Sequence, residues 1–417
     1  MIVNWTRIGF RNLVKNRRRS LFTMTAIAFG FAAVNLFGGF THYVYTGLEN
    51  GYVYAQANGH LSIFLKGFLE QGTFEPESFL ISRDEVDRIV RICRDDRRIR
   101  LVTPQLNISG LVSNGNISTI MIAEGRVHSE VRQIQQMAGG FIREMKLYDG
   151  APLGDGAGDG VGMARGLASK LKLQIGGDAI VVANSMEGFM NALDARVVQT
   201  FGAPWDLLEN MMMTMPLAFA QELYATTSVD RLNILLNDGQ DARAVQAALR
   251  QELKAAGLEM DVLVWDELHP SYPRTRSMFN VIFFISFLTV MVIVVMSVVN
   301  TVSTAVLERT REIGTLRALG LKRHGVVGMF VIESSLLAAI GSLVGGVLTI
   351  IVWYAVGVAR PTWVPPHIPK RIPLEIHLVP EYLGVTFLCL VLLAAIAAAI
   401  PARRAAKMPI IDALGHS

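Results

Sequence analysis

Charge is scarce in this chain. Only 18% of its 417 residues are Asp, Glu, Lys or Arg, and 51% are hydrophobic. That balance argues against a soluble cytoplasmic enzyme and against a disordered scaffold. Cysteine is scarcer still: Cys93 and Cys389 are too few for a disulfide framework or a four-cysteine metal site. Cys389 sits in an apolar run, so its pairing with Cys93 is remote.

What is abundant is apolar sequence in long runs. About 20 mostly apolar residues cross a bilayer, and four stretches reach that length. The first is Leu21–Phe40, without a charge, inside a helix assigned to 21–45. The others are assigned to 278–302, 326–356 and 382–400. The first resembles a signal peptide in its basic approach, but its apolar region is too long and no small-x-small cleavage pattern follows. It reads as an uncleaved anchor. The expected fold is therefore a multi-pass α-helical membrane protein with four transmembrane helices.

The net charge of +4 hides a partition. The segment 1–20 carries +6, the loop 303–325 carries +3 and the tail 401–417 carries +2, whereas 46–277 carries −7. Lysine and arginine accumulate on the cytoplasmic side of membranes. Both termini and the 303–325 loop are thus expected inside, and 46–277 outside; 357–381 forms a second, shorter outside loop.

The 46–277 stretch is long enough for its own core. Its signals mix strand and helix, predicting a large α+β extracytoplasmic domain between the first two spans. His60–Leu65 reads as a strand. Ser82 followed by Glu85 reads as the capped start of a helix running to Arg94. Ile99–Thr103, Asn107–Val112 and Ile117–Glu124 read as three strands separated by Pro, Asn and Gly. A helix at Leu167–Leu173, a strand at Ala179–Ala183, and a strand–helix–strand ending over 230–265 complete the reading.

Catalysis finds no foothold here. His60, His128 and His269 stand far apart, and no G-x-S-x-G elbow is present. Asp155 and Asp159 lie among glycines but lack the calcium loop's terminal glutamate, so a solvated loop is expected and no metal. The methionines Met211, Met212, Met213 and Met215 are adaptable apolar surface. They are taken as a candidate substrate contact, beside the alternative of ordinary core.

The densest pattern lies in the 303–325 loop: Glu308, Arg309, Arg311, Glu312, Gly314 and Arg317 alternate with aliphatics. A short helix lying on the membrane surface and ending at Gly320 accounts for it. In the third span Glu333 is a costly intramembrane acid; a structural or coupling role, snorkelling or pairing with basic groups near the cytoplasmic end, is expected ahead of a proton or ion site. Gly341 and Gly345 have the spacing for close helix packing, including packing in a dimer.

Together these segments resemble the FtsX/MacB/LolC–LolE superfamily of ABC transporter permeases. The run Glu308-Arg309-x-Arg311-Glu312-Ile313-Gly314-x-Leu316-Arg317-Ala318-Leu319-Gly320 matches that family's loop signature. Arg11–Ser20, Asn58–Ile63, Leu167–Asp178, Glu333-Ser334 with the following glycines, and Pro401–Leu414 match in order along the chain. Leu167–Asp178 carries one extra glycine before the aspartate.

The resemblance implies a permease that dimerises with a second copy or a homologue and binds a cytoplasmic ABC ATPase pair. Glu308, Arg309, Arg311, Glu312, Gly314 and Arg317 would form the coupling helix seated on that ATPase. Glu333, Gly341 and Gly345 would serve packing and coupling within the membrane. No G-x-x-x-x-G-K-[ST] phosphate loop is present, so ATP and Mg are expected on the partner, as in the LolC/LolE arrangement and unlike MacB with its fused ATPase. The implied role is lipoprotein release at the bacterial inner membrane. The alternatives are efflux of peptides or macrolides through a periplasmic adaptor, and FtsX-like control of a wall hydrolase. Membrane lipids are the other expected partner, and nucleic acid is not one.

Overall fold

The computed structural model describes residues 17–410 apart from 73–75, 140–142, 144–145, 157, 187, 204–205, 270 and 364–370. Residues 1–16 and 411–417, which carry most of the basic N-terminal segment and part of the ending, lie outside the described residues. The chain divides into two compact units. A helical unit holds the chain up to Tyr45, Thr275–Pro361 and the chain from Leu374; a sheet module holds Thr46–Arg274 and Thr362–Pro373.

Among the described residues, four helices are long and apolar enough to cross a membrane: Arg17–Ala55, Tyr272–Glu308, Arg323–Ala359 and Pro380–Lys407. Each outruns its apolar core, because helix propensity does not stop where hydrophobicity does. The fourth helix runs on past Ile400 to Lys407. It continues through Pro401, which removes one backbone hydrogen bond. Pro401 is itself buried, as are Ala397, Ala398, Ala402 and Ala405 of the same helix.

In lipid, helices gain little from apolar burial alone, so close approach of small residues and hydrogen bonds must hold them. Thr23 and Thr301 hydroxyls meet at 2.6 Å between the first and second helices. A Cβ at Gly345 would stand 2.6 Å from the Ala28 carbonyl oxygen and 2.8 Å from Phe31 Cβ, and one at Gly341 would stand 3.1 Å from Ile27. These glycines seat the third helix on the first helix of the same chain. Large residues of the second helix such as Phe284, Ile285 and Met296 are exposed, as suits contact with lipid tails.

The sheet module is built on one ten-stranded sheet. Its strands are β1 Leu61–Leu65, β2 Ile99–Ser113, β3 Ser118–Arg126, β4 Tyr148–Gly150, β5 Gly160–Ala164, β6 Asp178–Asn184, β7 Met190–Phe201, β8 Met212–Pro216, β9 Arg231–Leu236 and β10 Met260–Val264. Following the pairs β2–β3, β3–β8, β8–β5, β5–β7, β7–β6 and β6–β2 returns to the start, so six strands close into a barrel. Its interior is apolar, with Leu106, Ile108, Met121, Val181, Val197 and Met213 fully buried or nearly so. The order β10–β1–β9–β2 extends from it as an open sheet. The helices Arg83–Asp95 and Ala242–Ala255 contribute Ile89, Cys93, Val245 and Leu249 to a second core there.

Strand β2 belongs to both lobes. Its first half pairs β9 and its second half pairs β3 and β6. Where two strands broken at Pro104 were expected, one continuous strand runs through it. Over Ile99–Pro104 only β9 is paired, so proline's missing N–H falls where one flank is open. Ser82 caps the helix as read, and Glu85 completes a capping box: the Glu85 amide donates to Ser82 Oγ, and the Ser82 amide to Glu85. Gly59 has φ +68, and a Cβ there would stand 2.5 Å from the Ile234 carbonyl oxygen. Only glycine lets the chain enter β1 this close to β9.

His60 follows that turn. It is 1% exposed; its Nδ1 accepts from the Leu236 amide at 3.1 Å, and Tyr54 Oη lies 3.3 Å from Nε2. Burial lowers its pKa to about 4, against a smaller opposite pull from Asp238. Burial also lowers His128 to about 4. A histidine that titrates lower folded than unfolded is protonated first in the unfolded chain, so stability falls as pH drops from about 6.5 toward 4. Each should cost up to about 2 kcal/mol between pH 6.5 and 5. The unfolding midpoint of the full chain, followed calorimetrically, is expected to fall over that range. His60→Asn, which keeps an acceptor at the Nδ1 position, should reduce the slope.

Candidate functional site

The second long helix ends at Glu308, and Arg309 takes φ −111, ψ 17 to break it. A nine-residue loop helix, Thr310–Ala318, follows, and Gly320 at φ +98 closes it. The left-handed turn lets the Leu321 amide donate to the Leu316 carbonyl at 3.0 Å. Lys322 then starts the third helix.

The loop helix has two faces. Arg309, Thr310, Ile313 and Gly314 are buried, and Ile313 belongs to the apolar cluster that includes Val326, Phe330 and Ala402. Arg311, Glu312, Thr315, Leu316, Ala318 and Leu319 are exposed. Arg311 and Glu312 make no salt bridge among the described residues, which leaves an adjacent cation and anion with aliphatic neighbours on an open surface.

Three long side chains fix this helix to the rest of the unit. Arg19 of the first helix pairs with Glu308 at 3.0 Å. Arg309 pairs with Glu333 of the third helix at 3.3 Å, the two side chains 11% and 12% exposed. Arg317 donates to the Met408 carbonyl, just beyond the fourth helix. The break after Glu308 is therefore tied to every long helix of the unit.

This geometry redistributes the six loop residues. Arg311 and Glu312 present contact surface. Glu308 is half-exposed but engaged by Arg19, and Arg317 is half-buried. Arg309 and Gly314 face inward, which corrects their expected place on a partner-binding surface: the first neutralises Glu333, and the second lies on the packed face. Sequence spacing could not show that Arg309 leaves the helix path. In the sheet module, Met213 and Met215 are fully buried in β8. Their side chains alternate into the barrel, which corrects the expectation of a four-methionine surface. Met211 and Met212 are half-buried, and Met212 lines a cleft of about 340 Å³. The described residues contain no group of three metal-ligating side chains.

Residues 20–252 match the family model of the MacB-like periplasmic core domain, and residues 283–410 match that of the FtsX-like permease C-terminal region. This chain belongs to the MacB/FtsX family of ABC transporter permeases. The permease is 26% identical over 193 residues to the macrolide export ATP-binding/permease protein MacB of Escherichia coli (strain K12), a match covering 45% of this chain and 28% of that protein. It is 27% identical over 199 residues to MacB 1 of Yersinia pestis bv. Antiqua (strain Antiqua), covering 47% and 29%. It thus spans less than a third of the length of these relatives. Among solved structures it is similar to the periplasmic region of MacB from Actinobacillus actinomycetemcomitans, at 13% identity and TM-score 0.37, covering 54% of this chain and 96% of that one.

The Arg309–Glu333 pair in the permease is open to a double-mutant test. Removing one partner strands a buried charge, which costs about 3–5 kcal/mol, whereas replacing both by apolar residues of similar volume is often neutral. Arg309→Ala alone should lower the unfolding midpoint strongly. The double replacement Arg309→Met with Glu333→Met should recover most of it, as read by calorimetry on the full chain.

Proposed function

We propose that this permease couples ATP hydrolysis by a separate cytoplasmic ABC ATPase to movement of its sheet module on the far side of the bacterial inner membrane. The observation that carries this reading is the loop helix. It offers Arg311 and Glu312 outward and is tied inward to all four long helices, so a push on its exposed face is delivered to the whole helical unit. Charge partition supports the sidedness: +3 on the short loop favours the cytoplasm for it and both termini, which leaves 46–277 for the far side. In this reading catalysis falls to the partner, where ATP with Mg would sit. A second permease copy or homologue completes a paired seat for two ATPase subunits.

The work we assign to that movement is release of lipoproteins from the membrane to a periplasmic acceptor, on the likeness of Asn58–Ile63 to the lipoprotein-releasing branch. A second reading, export with a periplasmic adaptor, is favoured by the relatives named for macrolide export.

Charge reversal of both exposed loop residues, Arg311→Glu with Glu312→Lys, should reduce ATPase retention in affinity purification at least tenfold. The unfolding midpoint should stay unchanged. Full retention of the ATPase by this variant would overturn the coupling assignment. In cells depleted of the permease, lipoproteins should accumulate in the inner membrane. Normal lipoprotein sorting with raised sensitivity to exported compounds would decide for the second reading.

A further inference from the structure

The cleft lined by Met212 belongs wholly to the sheet module and lies where its two cores approach, beside Val131 of one and Phe201 and Ala203 of the other. Its volume of about 340 Å³ is at the small end of ligand sites. Leu147, Leu153, Phe201 and Met212 supply apolar wall.

Most charged groups on this wall are already committed. Arg126 donates to the Gln56 and Ala57 carbonyls and to Asn58, and lies 2.9 Å from Glu124. Glu209 accepts from the Gly166 and Ala203 amides. Arg165 pairs with Asp149. Arg132 differs: it spends one N–H on the Leu153 carbonyl at 2.6 Å and has no carboxylate within salt-bridge distance among the described residues. His128 differs too. It is 6% exposed, its ring donates to the Met215 carbonyl, and its Nε2 is buried with no hydrogen-bond partner. With Nδ1 as the donor, Nε2 carries a lone pair and can only accept. A buried acceptor left unmade costs about 1–3 kcal/mol.

We propose that this cleft binds a medium-chain amphipathic carboxylate that bears a hydrogen-bond donor close to its head group. The carboxylate meets the uncommitted donors of Arg132, a hydroxyl or amide N–H satisfies His128 Nε2, and the chain lies against Phe201 and Met212. A cationic amphiphile is disfavoured, because Arg132 and Arg126 would both repel it. The site is independent of the loop helix and needs no nucleotide, so its failure would leave the coupling reading untouched.

The test is calorimetric titration of the full chain in nanodiscs, without ATPase, with empty nanodiscs subtracted. The probes are decanoate and 3-hydroxydecanoate, which differ by the donor. Both should saturate, with the hydroxylated probe about five- to tenfold tighter, the worth of one hydrogen bond. Arg132→Glu should weaken both at least tenfold, and Met212→Trp, which fills the wall, should abolish both. Unchanged unfolding midpoints would show these variants folded. Should either variant not fold, His128→Phe remains, and it should erase the difference between probes. Absence of saturable heat above empty nanodiscs, unaltered binding in folded Arg132→Glu, or equal affinity for the two probes would overturn the proposal.

Discussion

The helical unit depends on one buried ion pair. Arg309 stands where the second helix breaks, and Glu333 stands in the third helix, where a lone carboxylate would be prohibitive. Each charge is balanced by the other, so moving the break along the sequence would pull the pair apart. The pair therefore does more to define a hinge position than to add net stability, since a buried salt bridge often gains little over apolar packing. Around it, the weaker Arg19–Glu308 contact and the Arg317 bond to Met408 set the orientation of the loop helix.

In the sheet module the comparable constraint is shared backbone. Strand β2 supplies one rung to the barrel and one to the open sheet, so the two apolar cores are joined by a continuous ladder of hydrogen bonds. Neither lobe can shift its register alone, because a one-residue slip of β2 would turn buried side chains outward in both.

Much of this was legible in the sequence, for identifiable reasons. The four spans show in uninterrupted apolar runs, and the capped helix at Arg83 shows in Ser82 and Glu85. The loop helix shows in its charge alternation and Gly320. Less was visible where tertiary context overrode local preference. Pro104 looked like a break, yet an unpaired flank absorbs it. Strand β7 does carry a signal, with Asp194 and Arg196 outward against buried Ala195 and Val197, but its small apolar residues are easily passed over. Strand β8 hides in methionine, a residue with no strong strand preference. The cleft could not have been read at all, since Arg132, Phe201 and Met212 meet only after the barrel closes and the parallel β3–β8 pair forms.

The barrel's closure also limits how anything can attach to this module. Six strands have no lateral partner to offer, and the open flank of β2 carries Pro104, which lacks a donor. Among the described residues of this sheet, recognition by strand addition is then confined to its two ends, the five-residue β10 and the three-residue β4. A protein that docks anywhere else must do so through side chains and loops.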